Sequence, residues 1–191
     1  MSRAIAVAAL ALAVLLAVGC SPKPPPPTVN ASMTQVMAPQ TQTIWDITSH
    51  AFNARGDGLD AAKISPADWA KLEEAGRQLR DRALLLANAP HVIAAAPGET
   101  IMGADAVGAP SKIGNTWDAA SARQVQAMID ANPKLFAERA RILADAGGTV
   151  VKASKTQDVG PLYKVSSGMD EVCDGCHQKF WGTDEPPPYP K

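Results

Sequence analysis

The sequence has few aromatic residues and almost no excess of charge of either sign. It contains three Phe, two Tyr and four Trp among 191 residues, and its 18 Lys and Arg nearly balance 19 Asp and Glu. Without basic clusters it lacks the charge pattern of a nucleic-acid-binding protein, so no nucleic-acid partner is expected. Strand patterns are also missing, since no segment longer than four residues favours a strand. Alanine dominates the apolar residues, which favours helix.

Long apolar runs are missing too, except for one at the N-terminus, from Ile5 to Val18 after Arg3. This run is short for a membrane span and ends in small residues, which predicts an export signal over residues 1–19. The ending LLAVGC resembles the bacterial lipoprotein box, with Ala17 where the box usually has Leu. The resemblance implies that Cys20 is lipidated and anchors the protein to a membrane, facing the periplasm. The alternative is an ordinary signal peptide cut nearby, which would leave a soluble periplasmic protein.

Proline is concentrated at the two ends of the mature chain. Residues 20–31 include SPKPPPPTVN and predict an extended linker that follows the lipidated cysteine. Residues 183–191, TDEPPPYPK, predict a Pro-rich tail. The folded domain is therefore expected to span residues 32–182.

Four stretches of this domain repeat apolar residues at steps of three and four, which predicts helices over 32–52, 65–88, 132–153 and 161–181. Ser65 and Asn132 are the expected N-caps of the second and third helices, and Pro39 predicts a kink or a late start in the first. A long loop, 90–117, and a short helix from Ser121 to Ala131 separate helices two and three. Such helices can bury their apolar faces only against one another, which predicts an all-α, antiparallel, up-down-up-down four-helix bundle.

Cysteine is scarce, and with Cys20 assigned to lipid only Cys173 and Cys176 remain, in the sequence CDGCH that ends at His177. Structural zinc needs four ligands, and the other candidates, His50 and His91, are isolated. A redox disulfide of the thioredoxin type lies at a helix N-terminus beside a βαβ unit, which this chain lacks.

The remaining interpretation of CDGCH is covalent attachment of haem c. Residues three apart on a helix share a face, so the thiols of Cys173 and Cys176 can both bond one edge of a haem. The next residue, His177, is then the proximal iron ligand. This motif predicts one covalent haem and is favoured over zinc and a disulfide.

The position of the motif near the C-terminus resembles the class II c-type cytochromes, the cytochrome c-prime family. CDGCHQKFW resembles the end of that family's last helix, and KTQDVGPLYKVSSGMDEVCDGCH resembles its third-to-fourth helix junction. The resemblance covers about residues 31–182, and residues 90–131 are longer than is usual in the family. It implies a four-helix bundle with haem near the C-terminus of the last helix, acting as an electron carrier between redox proteins and not as an enzyme. Family members often pair through their first two helices, although an anchored member need not, so a homodimer and a monomer both stay open.

Members of this family differ at the sixth iron site. In an up-down-up-down bundle the start of helix one lies beside the end of helix four, and SMTQVMAP is at that start. The spacing of Met33, Pro39 and Trp45 resembles low-spin relatives in which the first methionine is the ligand. Met33 is therefore the expected distal ligand and Met37 the second choice, although methionines on an apolar face also serve as core filler.

Three alternatives stay open at this site. An open sixth position would give a five-coordinate protein that binds nitric oxide or carbon monoxide, and a haem that switches partner binding would give a redox sensor. His91 is a further, less favoured, distal ligand. The sequence also departs from the family, because its first helix has no basic residue before Arg55 to meet the haem propionates, which leaves Lys134, Lys179 or solvent.

Overall fold

A computed structural model describes residues 27–97 and 122–181, and it shows an all-α chain, as predicted. The helices are α1 (Val29–Ser32), α2 (Ala38–His50), α3 (Pro66–Ala87), α4 (Ala122–Ala131), α5 (Pro133–Thr156), α6 (Val159–Ser167) and α7 (Met169–Phe180). A π-helical turn, Met33–Met37, joins α1 to α2, and a short 3-10 helix spans Ala61–Lys63. The described residues form no strand, only one isolated antiparallel bridge between Phe52 and Leu59.

Several predicted features lie outside the described residues. They are the export signal 1–19, the lipidated Cys20, most of the Pro-rich linker, residues 98–117 of the long loop, Ser121 and the tail 183–191. None of the described helices is both long and apolar enough to cross a membrane.

The first helical segment begins earlier than predicted, at Val29, where the Thr28 hydroxyl accepts a hydrogen bond from Ala31 N–H at 3.0 Å. The expected late start near Pro39 is wrong, because helical residues begin at Val29. A π turn lies just before the proline, and the Ala38 N–H donates to Met33 O. Proline has no N–H to continue the α-helical pattern. The extra residue of the π turn accommodates this break without ending the helical segment.

The predicted caps of the second and third long helices have different outcomes. Ser65 caps α3, since its Oγ accepts from Asp68 N–H at 3.1 Å and Pro66 takes the first helical position. Asn132 occupies the N-cap position of α5, as predicted, but its side chain makes no capping bond to that helix. The Asn132 amide donates instead to Met128 O at 3.3 Å, in the last turn of α4. The Asn132 side chain therefore bonds to α4 instead of capping α5.

Helices α3 and α5 make the most extensive interhelical contact. Gly147 and Gly148, two glycines in the middle of α5, do not interrupt it. A Cβ atom at Gly147 would lie 2.8 Å from Arg80 N and 2.8 Å from Gly76 O, so glycine at 147 lets the two backbones approach closely. The helix α5 is therefore continuous through both glycines, and Gly147 allows it to pack closely on α3.

The last predicted helix, 161–181, is divided at Gly168 into α6 and α7. The hydroxyls of Ser166 and Ser167 donate to Tyr163 O at 3.1 and 2.7 Å. Such side-chain bonds to the preceding turn weaken and bend a helix. Glycine then follows with little preference for helix, so the chain makes a short turn before α7. Asp158 caps α6 by accepting from Gly160 N–H at 3.0 Å.

The core is shared by the helices. Its largest fully buried apolar side chains are Ile44 of α2, Leu72 and Leu79 of α3, Val150 of α5, Leu162 of α6 and Met169 of α7. Two contacts relate the first and last segments: Trp45 Nε1 donates to Ser166 O at 3.1 Å, and the rings of Phe52 and Tyr163 meet edge to face at 6.1 Å. Moving back along the first segment therefore corresponds to moving forward along α6, so these two segments run in opposite directions.

Candidate functional site

The CDGCH motif lies on α7, close to its C-terminal end. Met169 and Phe180, at opposite ends of α7, are buried in the core, and they hold the helix against the rest of the protein. Cys173 and Cys176 are half-buried and pack against the same core, and His177 is also half-buried. The helix therefore brings two thiols and one imidazole together at a partly covered position.

Residues from α4 and α5 surround this end of α7. The Phe136 ring, near the start of α5, meets the Phe180 ring edge to face with centroids 5.3 Å apart. Helix α4 also packs against α7. The short helix between the second and third long helices thus contributes to the surroundings of the motif.

The start of the first segment is tied to the chain that follows α3. Val29 N–H donates to Ile93 O, and Asn30 N–H donates to Ala94 O, both at 2.9 Å. Gln126 of α4 holds the same stretch, because its Oε1 accepts from Ala94 N–H at 2.8 Å and its Nε2 donates to Val92 O at 2.9 Å. These bonds connect α1, residues 92–94 and α4, the helix that packs on α7.

The two thiols are in an environment that disfavours their ionised form. Burial, together with the nearby carboxylates of Asp170 and Asp174, raises the pKa of Cys173 to about 11. Burial also raises the pKa of Cys176 to about 11, while the positive charge of Arg139 opposes the rise. Both side chains are therefore neutral thiols near neutral pH.

His177 is also held in its neutral form. Burial lowers the pKa of its imidazole, and the Asp174 carboxylate opposes this effect. A neutral imidazole has a free lone pair and can bind a metal ion. The Trp181 ring stands edge to face against the imidazole, with centroids 5.6 Å apart at 73°, and this contact restricts the orientation of His177.

The two candidate distal ligands both lie in the π turn. Met37 is only 4 % exposed and belongs to the core, whereas Met33 is half-buried and packs against it. The same core contacts Cys173 and Cys176. The structure thus brings both methionines and both cysteines to one continuous apolar cluster.

The other residues proposed from the sequence lie at the surface. His50, His91, Lys134 and Lys179 are exposed. Over residues 27–97 and 122–181, no three or more His, Cys, Asp and Glu side chains are grouped so that they could bind a metal ion. A haem iron does not depend on such a group, since a single histidine and one methionine complete its axial ligands.

One residue beside the motif received no role from the sequence. Arg139 interrupts an apolar face of α5, and its guanidinium lies against Gly175 of the motif: a Cβ atom at Gly175 would be 3.3 Å from Nη1. The Nε atom of Arg139 is fully buried, and no group of residues 27–97 or 122–181 accepts a hydrogen bond from it. The sequence feature that could have identified Arg139 is a single charged residue on the apolar face of a helix, because a buried charge is uncommon unless it is paired.

Comparisons with protein-family models, with curated proteins and with solved structures found no match for this chain. The resemblance to class II c-type cytochromes therefore rests on the motif residues themselves.

Proposed function

We propose that this chain is a monohaem c-type cytochrome that carries electrons. Haem is bound covalently by Cys173 and Cys176, and its iron is held by His177 and Met33. The observation that carries the proposal is the set of two thiols and one neutral imidazole, half-buried on α7 at the spacing of a haem c attachment site.

We infer that the helices form an up-down-up-down four-helix bundle made of residues 29–50, α3, α5, and α6 with α7. The opposite directions of the first segment and α6 support this arrangement. Contacts between α3 and α5 support it too: Gly76 meets Gly147, and the guanidinium of Arg141 donates to Ala87 O at 3.4 Å. Residues later in α3 thus meet residues earlier in α5, as in antiparallel neighbours.

The same register supports Met33 as the distal ligand. Trp45 is level with Ser166, and Phe52 is level with Tyr163. Continuing this antiparallel register carries the π turn, which lies earlier in the chain than Trp45, toward the end of α7 that holds His177. Met33 is half-buried there, whereas Met37 is a core side chain.

The residues of the site fit a c-type haem in three respects. Two thiols at positions i and i+3 provide the attachment, a neutral imidazole provides the proximal ligand, and Arg139 provides a buried donor that has no acceptor among the described residues. The raised pKa values of Cys173 and Cys176 also count against a thioredoxin-like disulfide, which relies on a lowered thiol pKa.

A bound haem supplies the one-electron chemistry of its iron. The protein's own residues attach the group, fix the axial ligands and exclude water. Phe136 and Phe180 close the apolar side of the site, and Trp181 holds the plane of His177. The proposed partners are other redox proteins, and the proposed location is a bacterial periplasm with a membrane anchor at Cys20.

The proposal is tested by producing the full chain in a bacterium that has a c-type haem attachment system. We expect haem to stay with the polypeptide through acid-acetone extraction, one per chain, and to give the reduced pyridine spectrum of a haem with two thioether bonds. A Cys173→Ser, Cys176→Ser double variant should retain no haem. Cys20→Ser is the matched control, because it removes a cysteine outside the bundle and should load haem normally. Wild-type protein that carries no covalent haem would contradict the proposal.

A further inference from the structure

We propose that Gln126 of α4 positions Met33, the distal iron ligand, by holding the beginning of the first helical segment through residues 92–94. The inference rests on the proposed function and deepens it, because it names the residue that keeps the sixth iron position closed. Gln126 acts through the backbone of its neighbours, so it is a positioning residue and not a ligand.

The side-chain amide of Gln126 binds the backbone of residues 92–94 at two places. Its Oε1 accepts from Ala94 N–H at 2.8 Å, and its Nε2 donates to Val92 O at 2.9 Å. Nε2 also donates to Asp130 Oδ1 at 2.8 Å, one turn further along α4, and this bond fixes the direction in which the amide points. A primary amide has both donors and an acceptor, so one side chain makes the pair of bonds that a neighbouring strand would make.

The carbonyl groups of the same stretch hold the start of α1. Val29 N–H donates to Ile93 O and Asn30 N–H donates to Ala94 O, both at 2.9 Å. The first N–H groups of a helix have no acceptor within that helix, and a helix start without acceptors frays. Ile93 and Ala94 therefore provide the acceptors that the first turn of the segment lacks, as long as their stretch stays in place.

Met33 lies one helical turn beyond these bonds. Residues four apart in a helix are neighbours on the same face, so a movement of Val29 is passed on to Met33. On the other side, Ala38 N–H donates to Met33 O and ties the π turn to α2. If residues 92–94 detach, Met33 is restrained from one side only, and the share of molecules in which it leaves the iron increases.

The experiment measures how fast carbon monoxide binds to the ferrous, haem-loaded protein, because it can bind only after Met33 has left the iron. Gln126→Ala removes both bonds to residues 92–94. Gln126→Glu keeps the size of the side chain but replaces the donor with an acceptor that faces Val92 O and Asp130 Oδ1. We expect both variants to bind carbon monoxide about tenfold faster than the wild type, since losing one hydrogen bond of ordinary strength shifts an equilibrium by about this factor.

Two control variants separate this role from a general loss of stability. Arg123→Ala truncates an exposed side chain three positions earlier on α4. Gly147→Ala weakens the close crossing of α3 and α5, which involves neither α4 nor the first segment. Both should bind carbon monoxide at the wild-type rate.

Amide hydrogen exchange in the haem-loaded protein is a second readout that needs no variant. The N–H groups of Val29, Asn30 and Ala94 donate the bonds that join the three parts, so in the wild type they should be protected to a similar degree. In Gln126→Ala all three should lose protection. Wild-type protein in which Val29 and Asn30 open independently of Ala94 would overturn the role of Gln126, whether or not its variants load haem.

Two further outcomes would overturn the role of Gln126 alone: a Gln126→Ala protein that binds carbon monoxide at the wild-type rate, or a Gly147→Ala protein that binds it as fast as Gln126→Ala does. A Met33→Ala protein with the wild-type spectrum would instead overturn Met33 as the ligand. Wild-type protein without covalent haem would overturn the whole proposed function, and with it this role.

Discussion

At the residue scale, the two methionines of the π turn are four positions apart and differ in burial. Met37 is enclosed by the core, whereas Met33 keeps part of its side chain at the edge of the core. A side chain that fills a core and a side chain that binds iron respond differently to truncation. That difference allows the two to be separated experimentally.

We predict that Met33→Ala converts the haem protein from a low-spin to a high-spin ferric spectrum and opens the ferrous iron to carbon monoxide. Met37→Ala should keep the low-spin spectrum and lower the free energy of unfolding by about 2–5 kcal/mol, because it leaves a cavity in the core. Optical spectra with and without carbon monoxide, and urea unfolding, measure the two effects.

A Met33→Ala protein that keeps the wild-type spectrum would exclude Met33 as the ligand, and the reverse pattern would assign the role to Met37. Prompt and full binding of carbon monoxide by the wild type would instead support an open site and a gas-binding function.

The sequence could predict those site residues whose roles follow from their spacing along the chain. Cys173, Cys176 and His177 are adjacent in the chain, so the local pattern is sufficient to propose them. The position of Arg139 beside Gly175 depends on how α5 packs against α7, and no local pattern contains that information.

At the element scale, the crossing of α3 and α5 depends on glycine at one position and not at the next. A Cβ at Gly147 would meet backbone atoms of α3, whereas a Cβ at Gly148 would have only Arg80 Cδ nearby, at 3.9 Å. The two adjacent glycines form a matched pair in the same helix.

We predict that Gly147→Ala lowers the free energy of unfolding by about 1–3 kcal/mol, because the α3 and α5 backbones must separate. Gly148→Ala should raise it by about 1 kcal/mol, since alanine has the higher helix propensity and meets no close neighbour. Urea unfolding followed by circular dichroism compares them. Equal effects of the two substitutions would contradict the close crossing.

The N-terminus of α3 provides a prediction about pH. Ser65 Oγ donates to Asp68 Oδ2 at 2.7 Å, and this bond, with help from Lys71, lowers the pKa of Asp68. A carboxyl group with a lowered pKa in the folded state stabilises the protein above its unfolded pKa, and this contribution is lost as the pH falls through the folded value. Ser65→Ala should raise the pKa of Asp68 toward its ordinary value. The free energy of unfolding of the variant should therefore lie further below that of the wild type at about pH 6 than at about pH 3, because the wild type loses the contribution of Asp68 as the pH falls.

An NMR titration of the Asp68 carboxyl group measures the pKa, and urea unfolding at the two pH values measures the difference in stability. Lys71→Gln is a comparison variant, because it removes the weaker of the two hydrogen bonds and should shift the pKa less. An unchanged Asp68 pKa in Ser65→Ala would contradict this account.

Helix positions followed from the apolar periodicity, but three details did not. Proline in a helix can produce a kink, a late start or a π turn, and all three accommodate its missing N–H. Asparagine is a good capping residue, but the Asn132 side chain donates to Met128 O at the end of α4 and makes no capping bond to α5. The break at Gly168 needs two serines that bond backward in addition to the glycine. In each case the sequence indicates that the helical pattern changes at that position, and contacts with neighbouring residues determine the form of the change.

At the scale of the whole molecule, the beginning of the first segment, the chain after α3 and α4 are joined by backbone and amide hydrogen bonds. The sequence assigned residues 92–94 to the long loop 90–117 and predicted no bonding partners for them. Their carbonyl and N–H groups nevertheless bind Val29, Asn30 and Gln126. Backbone hydrogen bonds of this kind do not depend on the residue type, and the sequence therefore could not predict them.

The predicted anchor concerns the same N-terminal region, outside the described residues. We predict that Cys20→Ser moves the protein from the membrane fraction to the soluble periplasmic fraction while its haem content stays that of the wild type, because the bundle does not include Cys20. Fractionation after export, with haem absorbance as the second readout, measures this. A Cys20→Ser protein that remains with the membrane would contradict lipidation at this residue.

The π turn also makes the protein sensitive to the length of its chain near Met33. One residue fewer in the turn would restore a regular α-helix and rotate everything before it by about 100° relative to α2. Val29 and Asn30 would then point their N–H groups away from Ile93 and Ala94. A single deletion in this turn should thus destabilise the protein more than most substitutions, because the geometry of the turn depends on the number of its residues more than on their identities.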